Sequence, residues 1–157
     1  LLHGGGQERD IRSSTVNAPG IVSFAAAVDQ SLMNLRENYF QVSSLADLLR
    51  QSVQEKVPNA RINGLSPDAL PGIVNVTFPG TKNESLLVLL DRAGISASQG
   101  SACSAGVQRP SHVLLAMGLS EDEADATVRF SLGSTSTEAD VQALSTVIAD
   151  VVKKATL

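Results

Sequence analysis

The sequence has 157 residues, of which 43% are hydrophobic, and its 12 Lys and Arg against 16 Asp and Glu give a net charge of −4. This length suits one ordinary domain or a large fragment of a longer protein. The acidic balance argues against binding to nucleic acid or anionic lipid. No apolar run approaches the roughly 18 residues that span a bilayer, and no signal peptide is recognisable, so we expect a soluble, cytoplasmic protein without a membrane partner.

The N-terminal third predicts a loop followed by a long helical arm. The first 17 residues contain three consecutive glycines and no apolar periodicity, which is typical of a loop. From Ala18 apolar residues recur every three or four positions, with Asn17 as N-cap and Pro58 as stop. An unbroken helix of this extent would be about 60 Å long. We therefore expect a bend or break near Ser43 and Ser44, which gives either one long helical arm or two helices in line.

The remainder predicts shorter, mixed elements. Alternation of apolar and polar residues favours strands at 73–78, which is rich in β-branched residues, and at 128–133. Residues 60–63 are a candidate for a further short strand. Capping boxes predict one helix that begins at Thr81 and Glu84 and ends before Gly94, and another that begins at Ser120 and Glu123. A short helix at 111–117 ends at Gly118, and Thr137 caps a last helix with an apolar stripe. The intermixed strands and helices predict a two-layer α+β domain with a long N-terminal helix.

Cys103 is the only cysteine, which excludes an internal disulfide and a cysteine-cluster metal site. It lies within residues 95–106, a run of almost entirely small residues that favours a mobile loop and an accessible sulfur. Accessibility favours a nucleophilic thiol without proving one, so a reactive and an inert Cys103 both stay open.

Arg129 and the glycine-rich N-terminal loop are the other candidates for binding. Strand alternation places Arg129 opposite the core, where its guanidinium can pair with a carboxylate ligand or with the acids at 121–125. The loop at 4–15 carries two arginines and three hydroxyls that could hold a phosphate, although it matches no standard phosphate-binding pattern. His3 and His112 lack carboxylates at ligand spacing, so we expect solvated or capping histidines and no metal site.

Together, GGGQERDIRSST at 4–15, GSACSAG at 100–106 and VRFSLG at 128–133 resemble the C-terminal part of the cysteine desulfurases. These are pyridoxal-phosphate (PLP) enzymes of the class V aminotransferase group, and the type resembled feeds iron–sulfur cluster assembly. The resemblance implies the small C-terminal domain of a fold-type I PLP-dependent transferase. Residues 1–17 would end the large cofactor-binding domain, and 18–157 would form the small domain that carries the cysteine loop.

The resemblance also implies a role for each matched residue. Cys103 would attack the sulfur of the substrate L-cysteine, leaving L-alanine and an enzyme persulfide, and Arg129 would bind the substrate carboxylate. Thr15 would help bind the cofactor phosphate of the partner subunit in a homodimer, with Arg9 and Arg12 near that interface. The extended cysteine loop resembles the first group of the family, which favours an iron–sulfur scaffold protein as the sulfur acceptor.

Two departures from the family pattern matter. Ser14 stands where the family usually has glycine, so if that glycine has a positive φ, Ser14 would strain the backbone or the loop would differ. The cofactor lysine, which follows a histidine in the family, has no counterpart among the four lysines Lys56, Lys82, Lys153 and Lys154. We therefore expect a C-terminal fragment that is inactive alone and binds no PLP covalently.

Two alternatives to this enzyme hypothesis remain. The chain could be a non-catalytic binding or dimerisation module whose Cys103 is inert or merely accepts sulfur. A free-standing persulfide carrier of the rhodanese type is less favoured, because the bulkier residues that flank such sites are missing here.

Overall fold

The computed structural model describes residues 3–99 and 110–156, except for the side chain of Asn83. The chain divides into two compact units, Leu1–Glu37 and Asn38–Leu157. The boundary predicted after residue 17 concerns the domains of the whole enzyme that the resemblance implies. The division into these two units does not test it, so it stays a prediction. No helix in the described ranges is both long and apolar enough to cross a membrane.

The first unit consists of the predicted loop and helix α1, Ala18–Met33. Asn17 caps α1 as predicted, because its side-chain oxygen accepts a hydrogen bond from the Gly20 amide at 3.0 Å. The helix buries none of its residues. Its apolar positions are therefore exposed, including Phe24 at 72% and Met33 at 85%.

The long helical arm breaks at Asn34, so the predicted break at Ser43 and Ser44 is wrong. Helix α2, Leu35–Lys56, runs without interruption through both serines. Buried Val42 and Leu45 flank the serines, and their packing outweighs the weak helix preference of serine. At Asn34 the side-chain amide instead donates to the Gln30 carbonyl at 3.5 Å, a local bond that competes with helix continuation.

The second unit contains a three-stranded antiparallel sheet in the order β1-β2-β3. Its strands are β1, Arg61–Asn63, β2, Ile73–Thr77, and β3, Thr127–Ser131, which confirms the three predicted strands within one or two residues at each end. The register places Asn63 opposite Asn75, and Asn75 opposite Arg129.

Four helices complete this unit: α3, Asn83–Arg92, α4, His112–Ala116, α5, Glu121–Asp125, and α6, Glu138–Ala155. The capping box of Ser120 and Glu123 is confirmed, and Thr137 caps α6 with Asp140 as its reciprocal partner. The two Thr137 donors lower the pKa of Asp140, the backbone amide contributing most.

The predicted capping box of Thr81 and Glu84 is wrong. The N-cap of α3 is Lys82, which makes no side-chain capping bond. The buried Thr81 hydroxyl donates instead to the Phe78 carbonyl at 2.7 Å, closing the turn that leaves β2. Helix α3 therefore begins one residue later than the sequence pattern predicts.

One hydrophobic core lies between the helices and one face of the sheet. The apolar stripes of α2 and α6 both face it, as the periodicity predicts, and α3 contributes Leu86 and Leu90. The sheet contributes four side chains by strict alternation: Val74, Val76, Val128 and Phe130. This arrangement confirms the two-layer α+β class.

Candidate functional site

The sheet face opposite the core is polar, and it carries Arg129. We call it the polar sheet face and define it by Asn63, Asn75, Thr77, Thr127 and Arg129. Because successive strand residues point to opposite faces, the burial of Val74, Val76, Val128 and Phe130 in the core places these five on the other side.

One end of this face is covered and fully hydrogen-bonded. Thr77 and Thr127 are 0% and 1% exposed, and their hydroxyl oxygens lie 2.7 Å apart. The Thr127 hydroxyl donates to the Glu123 carbonyl at 2.7 Å, so it must accept from Thr77. Thr77 in turn accepts from the side-chain amide of Asn63 at 2.8 Å. Each buried hydroxyl thus has a donor and an acceptor.

The other end of the face is open, and Arg129 is exposed there. Its backbone amide donates to the Ser98 carbonyl at 2.7 Å, and its carbonyl accepts from the Ser98 amide at 3.0 Å. Ser98 lies on the side of β3 away from β2, so the Arg129 backbone is held from both sides. Over the described part of the chain, the Arg129 side chain makes no hydrogen bond or ion pair.

The acids at 121–125 do not pair with Arg129 in the described structure. Glu123 pairs instead with Arg61 on β1. The Arg61 hydrogen bond, followed by the two bonds from Ser120, lowers the pKa of Glu123 to about 2. The guanidinium of Arg129 is left available for a ligand.

Cys103 and its neighbours at 100–109 lie outside the described residues. The first residues of the predicted loop, 95–99, are described. One of them, Ser98, forms a β-bridge with Arg129 and so is not in a loop conformation as predicted. Cys103 follows Ser98 by five positions along the chain.

Thr15 is exposed on the N-terminal loop, next to a residue in an unusual backbone conformation. Ser14 has φ of 81°, a left-handed value that disfavours side chains and for which backbone strain is expected. The Arg12 guanidinium donates to the Ser14 carbonyl at 2.8 Å, and the Ser14 amide donates to Gln7 at 3.1 Å. Glu8, Arg9 and Asp10 also have positive φ values, which give the loop a left-handed turn.

Both histidines are exposed, as predicted. Within residues 3–99 and 110–156, no group of three or more His, Cys, Asp or Glu side chains is arranged to hold a metal ion.

A family model described as aminotransferase class-V matches residues 4–144. The chain belongs to this family. An IscS-like cysteine desulfurase of Mycobacterium tuberculosis H37Rv is 44% identical over 156 residues, which are 99% of this chain and 40% of that protein. The chain thus spans about two-fifths of the length of this curated relative.

Solved structures of similar chains share the fold. The X-ray structure of a NifS-like protein from Rickettsia africae is 32% identical, with a TM-score of 0.81 over 98% of this chain and 39% of that one. A structure described as SspA in complex with cysteine is 34% identical, with a TM-score of 0.52 over 87% of this chain and 36% of its own.

The sequence alone did not reveal the hydrogen-bonded row behind Arg129. The polar positions Asn75 and Thr77 were visible in the alternation of β2, but their partners are set by strand register. Register brings Asn63 and Thr127, which are 64 residues apart in sequence, to the same face.

Proposed function

We propose that this chain is the C-terminal part of a PLP-dependent cysteine desulfurase that converts L-cysteine to L-alanine and a persulfide on Cys103. The observation that carries the proposal is the exposed Arg129 guanidinium, which has no partner among the described residues and is fixed on the polar sheet face of a class-V aminotransferase chain. The relative named SspA, crystallised with cysteine, supports an amino-acid substrate of this chemistry.

Arg129 would hold the substrate carboxylate. A guanidinium presents two parallel N–H donors that match the two carboxylate oxygens, and such charge-assisted bonds are about twice as strong as neutral ones. The backbone bonds to Ser98 limit movement of the strand beneath it. The residue would therefore orient the substrate without first breaking an ion pair.

Cys103 would accept the sulfur. Its thiolate attacks the sulfur of L-cysteine, an S–S bond forms, and the carbon–sulfur bond breaks. The electron pair of that bond stays with the carbon, which takes up a proton to give L-alanine. Five residues of chain span at most about 18 Å, so the covalent tether keeps Cys103 within that distance of Ser98, the residue paired with Arg129.

The described residues fit one end of the cofactor. When bound, PLP supplies the electron sink for this reaction. The exposed Thr15 hydroxyl and the nearby Arg12 guanidinium are donors suited to its phosphate, and in the proposed homodimer they would serve the partner subunit. All four lysines are exposed at or near helix ends and none lies on the polar sheet face, so we expect no covalent cofactor and no turnover from this chain alone.

We propose a cytoplasmic enzyme that delivers persulfide sulfur to an iron–sulfur scaffold protein. The names of the IscS-like relatives support this assignment.

The test follows sulfur from L-cysteine in the full-length enzyme that would carry this chain. With ³⁵S-cysteine, we expect label on Cys103 that is released by a reducing thiol, and one equivalent of L-alanine. The Cys103→Ser variant should take up no label. Label on the unchanged enzyme at any other residue would contradict the proposal.

Thiol-labelling rates separate the proposal from the alternative of a binding or dimerisation module. A sulfur-accepting Cys103 should react with a small alkylating reagent at the rate of a free exposed thiol in the folded chain. A rate a hundredfold lower would favour the module with an inert cysteine.

A further inference from the structure

Asn75 stands directly beside Arg129 on the polar sheet face. The two residues are opposite each other in the register of β2 and β3. In an antiparallel sheet the amide and carbonyl of one residue point to the same neighbouring strand. Those of Arg129 point to Ser98, so Arg129 and Asn75 form a non-hydrogen-bonded pair. Side chains are closest in such pairs, with Cβ atoms roughly 4.5–5.5 Å apart.

The Asn75 side chain is held in one orientation from the side away from Arg129. The Asn63 amide donates to the Asn75 oxygen Oδ1 at 2.8 Å, and the same Asn63 amide is fixed by its bond to Thr77. The Asn75 amino group Nδ2 lies at the opposite end of the amide. It has no hydrogen-bond partner among residues 3–99 and 110–156, although Asn75 is half-buried.

The open end of the face therefore presents two neighbouring donors, one charged and one neutral, that have no acceptor in the part of the chain that the structure describes. A neutral amide adds a donor without neutralising the guanidinium, which an aspartate at the same place would do. The nearest acid on the covered side, Glu123, is committed to Arg61. A carboxylate is the ligand that satisfies both donors at once.

We propose that Asn75 binds the carboxylate of the amino-acid substrate together with Arg129, and that Asn63 is a positioning residue for Asn75. This inference rests on the carboxylate-binding role proposed above for Arg129. It adds a second contact to that site and explains why the hydrogen-bonded row reaches across all three strands.

The test measures binding as well as turnover. In the ¹⁵N-labelled chain, titration with L-alanine should shift the Asn75 side-chain amide and the Arg129 Nε signal with one common dissociation constant, and L-alaninamide should shift neither. In the full-length enzyme, Asn75→Ala should weaken equilibrium binding of L-alanine about tenfold and raise the KM for L-cysteine more than it lowers kcat.

Three further variants keep the result interpretable. Asn59→Ala removes an exposed asparagine of the same unit and should change nothing. Asn75→Asp preserves the shape of the side chain and should weaken L-alanine binding more than Asn75→Ala, because its charge repels the ligand carboxylate. Asn63→Ala should weaken binding about threefold and move the Asn75 amide signal in the free chain.

The outcomes distinguish this inference from the proposed function. If Arg129→Ala weakens L-alanine binding to the full-length enzyme and Asn75→Ala stays within twofold of the unchanged enzyme, Asn75 has no role and the Arg129 assignment stands. If neither variant weakens binding, both assignments fail.

Discussion

The two ends of the polar sheet face use the same kinds of polar side chain in opposite ways. At the covered end, Thr77 and Thr127 are buried and every hydroxyl proton has an acceptor. At the open end, Arg129 and the amino group of Asn75 have no partner within the described ranges. The ends differ although they lie on the same two paired strands.

Because of this difference, the covered end contributes to the stability of the fold and the open end is suited to binding a ligand. A buried polar group must be paired, since leaving it unpaired costs about 1–3 kcal/mol. An exposed donor is satisfied by water at little cost and keeps its capacity for a ligand. The covered end therefore holds the strands in register, and the open end presents the donors that the register has aligned.

Arg129→Ala should produce the largest functional effect. Loss of a charge-assisted contact costs about 2–3 kcal/mol, so we expect kcat/KM of the full-length enzyme to fall about 30- to 160-fold. The free energy of unfolding should change by less than about 0.5 kcal/mol, as for other exposed residues. Arg92→Ala, at an exposed arginine of α3, is the matched control. If Arg129→Ala and Arg92→Ala lost equal activity, the open end of the polar sheet face would have no specific role in binding.

Thr77→Val should produce the reverse pattern. The change removes the acceptor of the Asn63 amide and the donor to Thr127, so the chain should lose about 1–3 kcal/mol of unfolding free energy in a urea titration. Thr146→Val is the control, because Thr146 is exposed and bonds only to a carbonyl of its own helix.

A double-mutant cycle sharpens the Thr77 prediction. The loss in Thr77→Val/Thr127→Val should be smaller than the sum of the two single losses, because removing both members leaves fewer unpaired buried groups. Strict additivity would show that the two hydroxyls do not depend on each other.

Ser14→Gly tests whether the positive φ of Ser14 strains the backbone of the N-terminal loop. Glycine adopts φ of 81° without steric penalty, so we expect local stabilisation of about 1 kcal/mol. Amide hydrogen exchange at residue 14 should slow by about fivefold. Ser14→Ala keeps the Cβ atom and should give no such slowing; if it slows exchange equally, the effect comes from the hydroxyl and not from the backbone.

Glu123→Gln should produce the smallest effect, and one that depends on pH. The pKa of Glu123 is lowered from 4.5 to about 2 in the folded chain, so its pairing stabilises the fold above pH 4.5. That stability is lost as the pH falls through about 2. The urea midpoint of the unchanged chain should exceed that of the variant at pH 6 and match it near pH 2. Glu121→Gln, on the same turn of α5, should show no such convergence.

Local sequence signals predicted those elements whose stability depends on neighbouring residues. The Asn17 cap, the box of Ser120 and Glu123 and the Thr137 cap all formed as expected, because each is closed within four residues. The alternation of β2 and β3 predicted which side chains face the core, and so placed Arg129 on the polar side.

The failed predictions are those in which another contact, tertiary in one case and local in the other, competed with the predicted local preference. Ser43 and Ser44 stay helical because Val42 and Leu45 are buried on either side of them. Thr81 matches a capping pattern, but its hydroxyl closes the turn after Phe78. A local pattern gives no measure of these competing contacts.

The sequence by itself determined the family resemblance, the two-layer class and the candidates Cys103, Arg129 and Thr15. Motif spacing and periodicity are properties of the chain and need no coordinates. Only the tertiary structure decided that Arg129 is free of the nearby acids and that Asn75, held by Asn63, stands beside it. The physical reason is strand register, which places residues that are far apart in sequence side by side. A shift of the register by one position would turn every side chain of the strand to the other face.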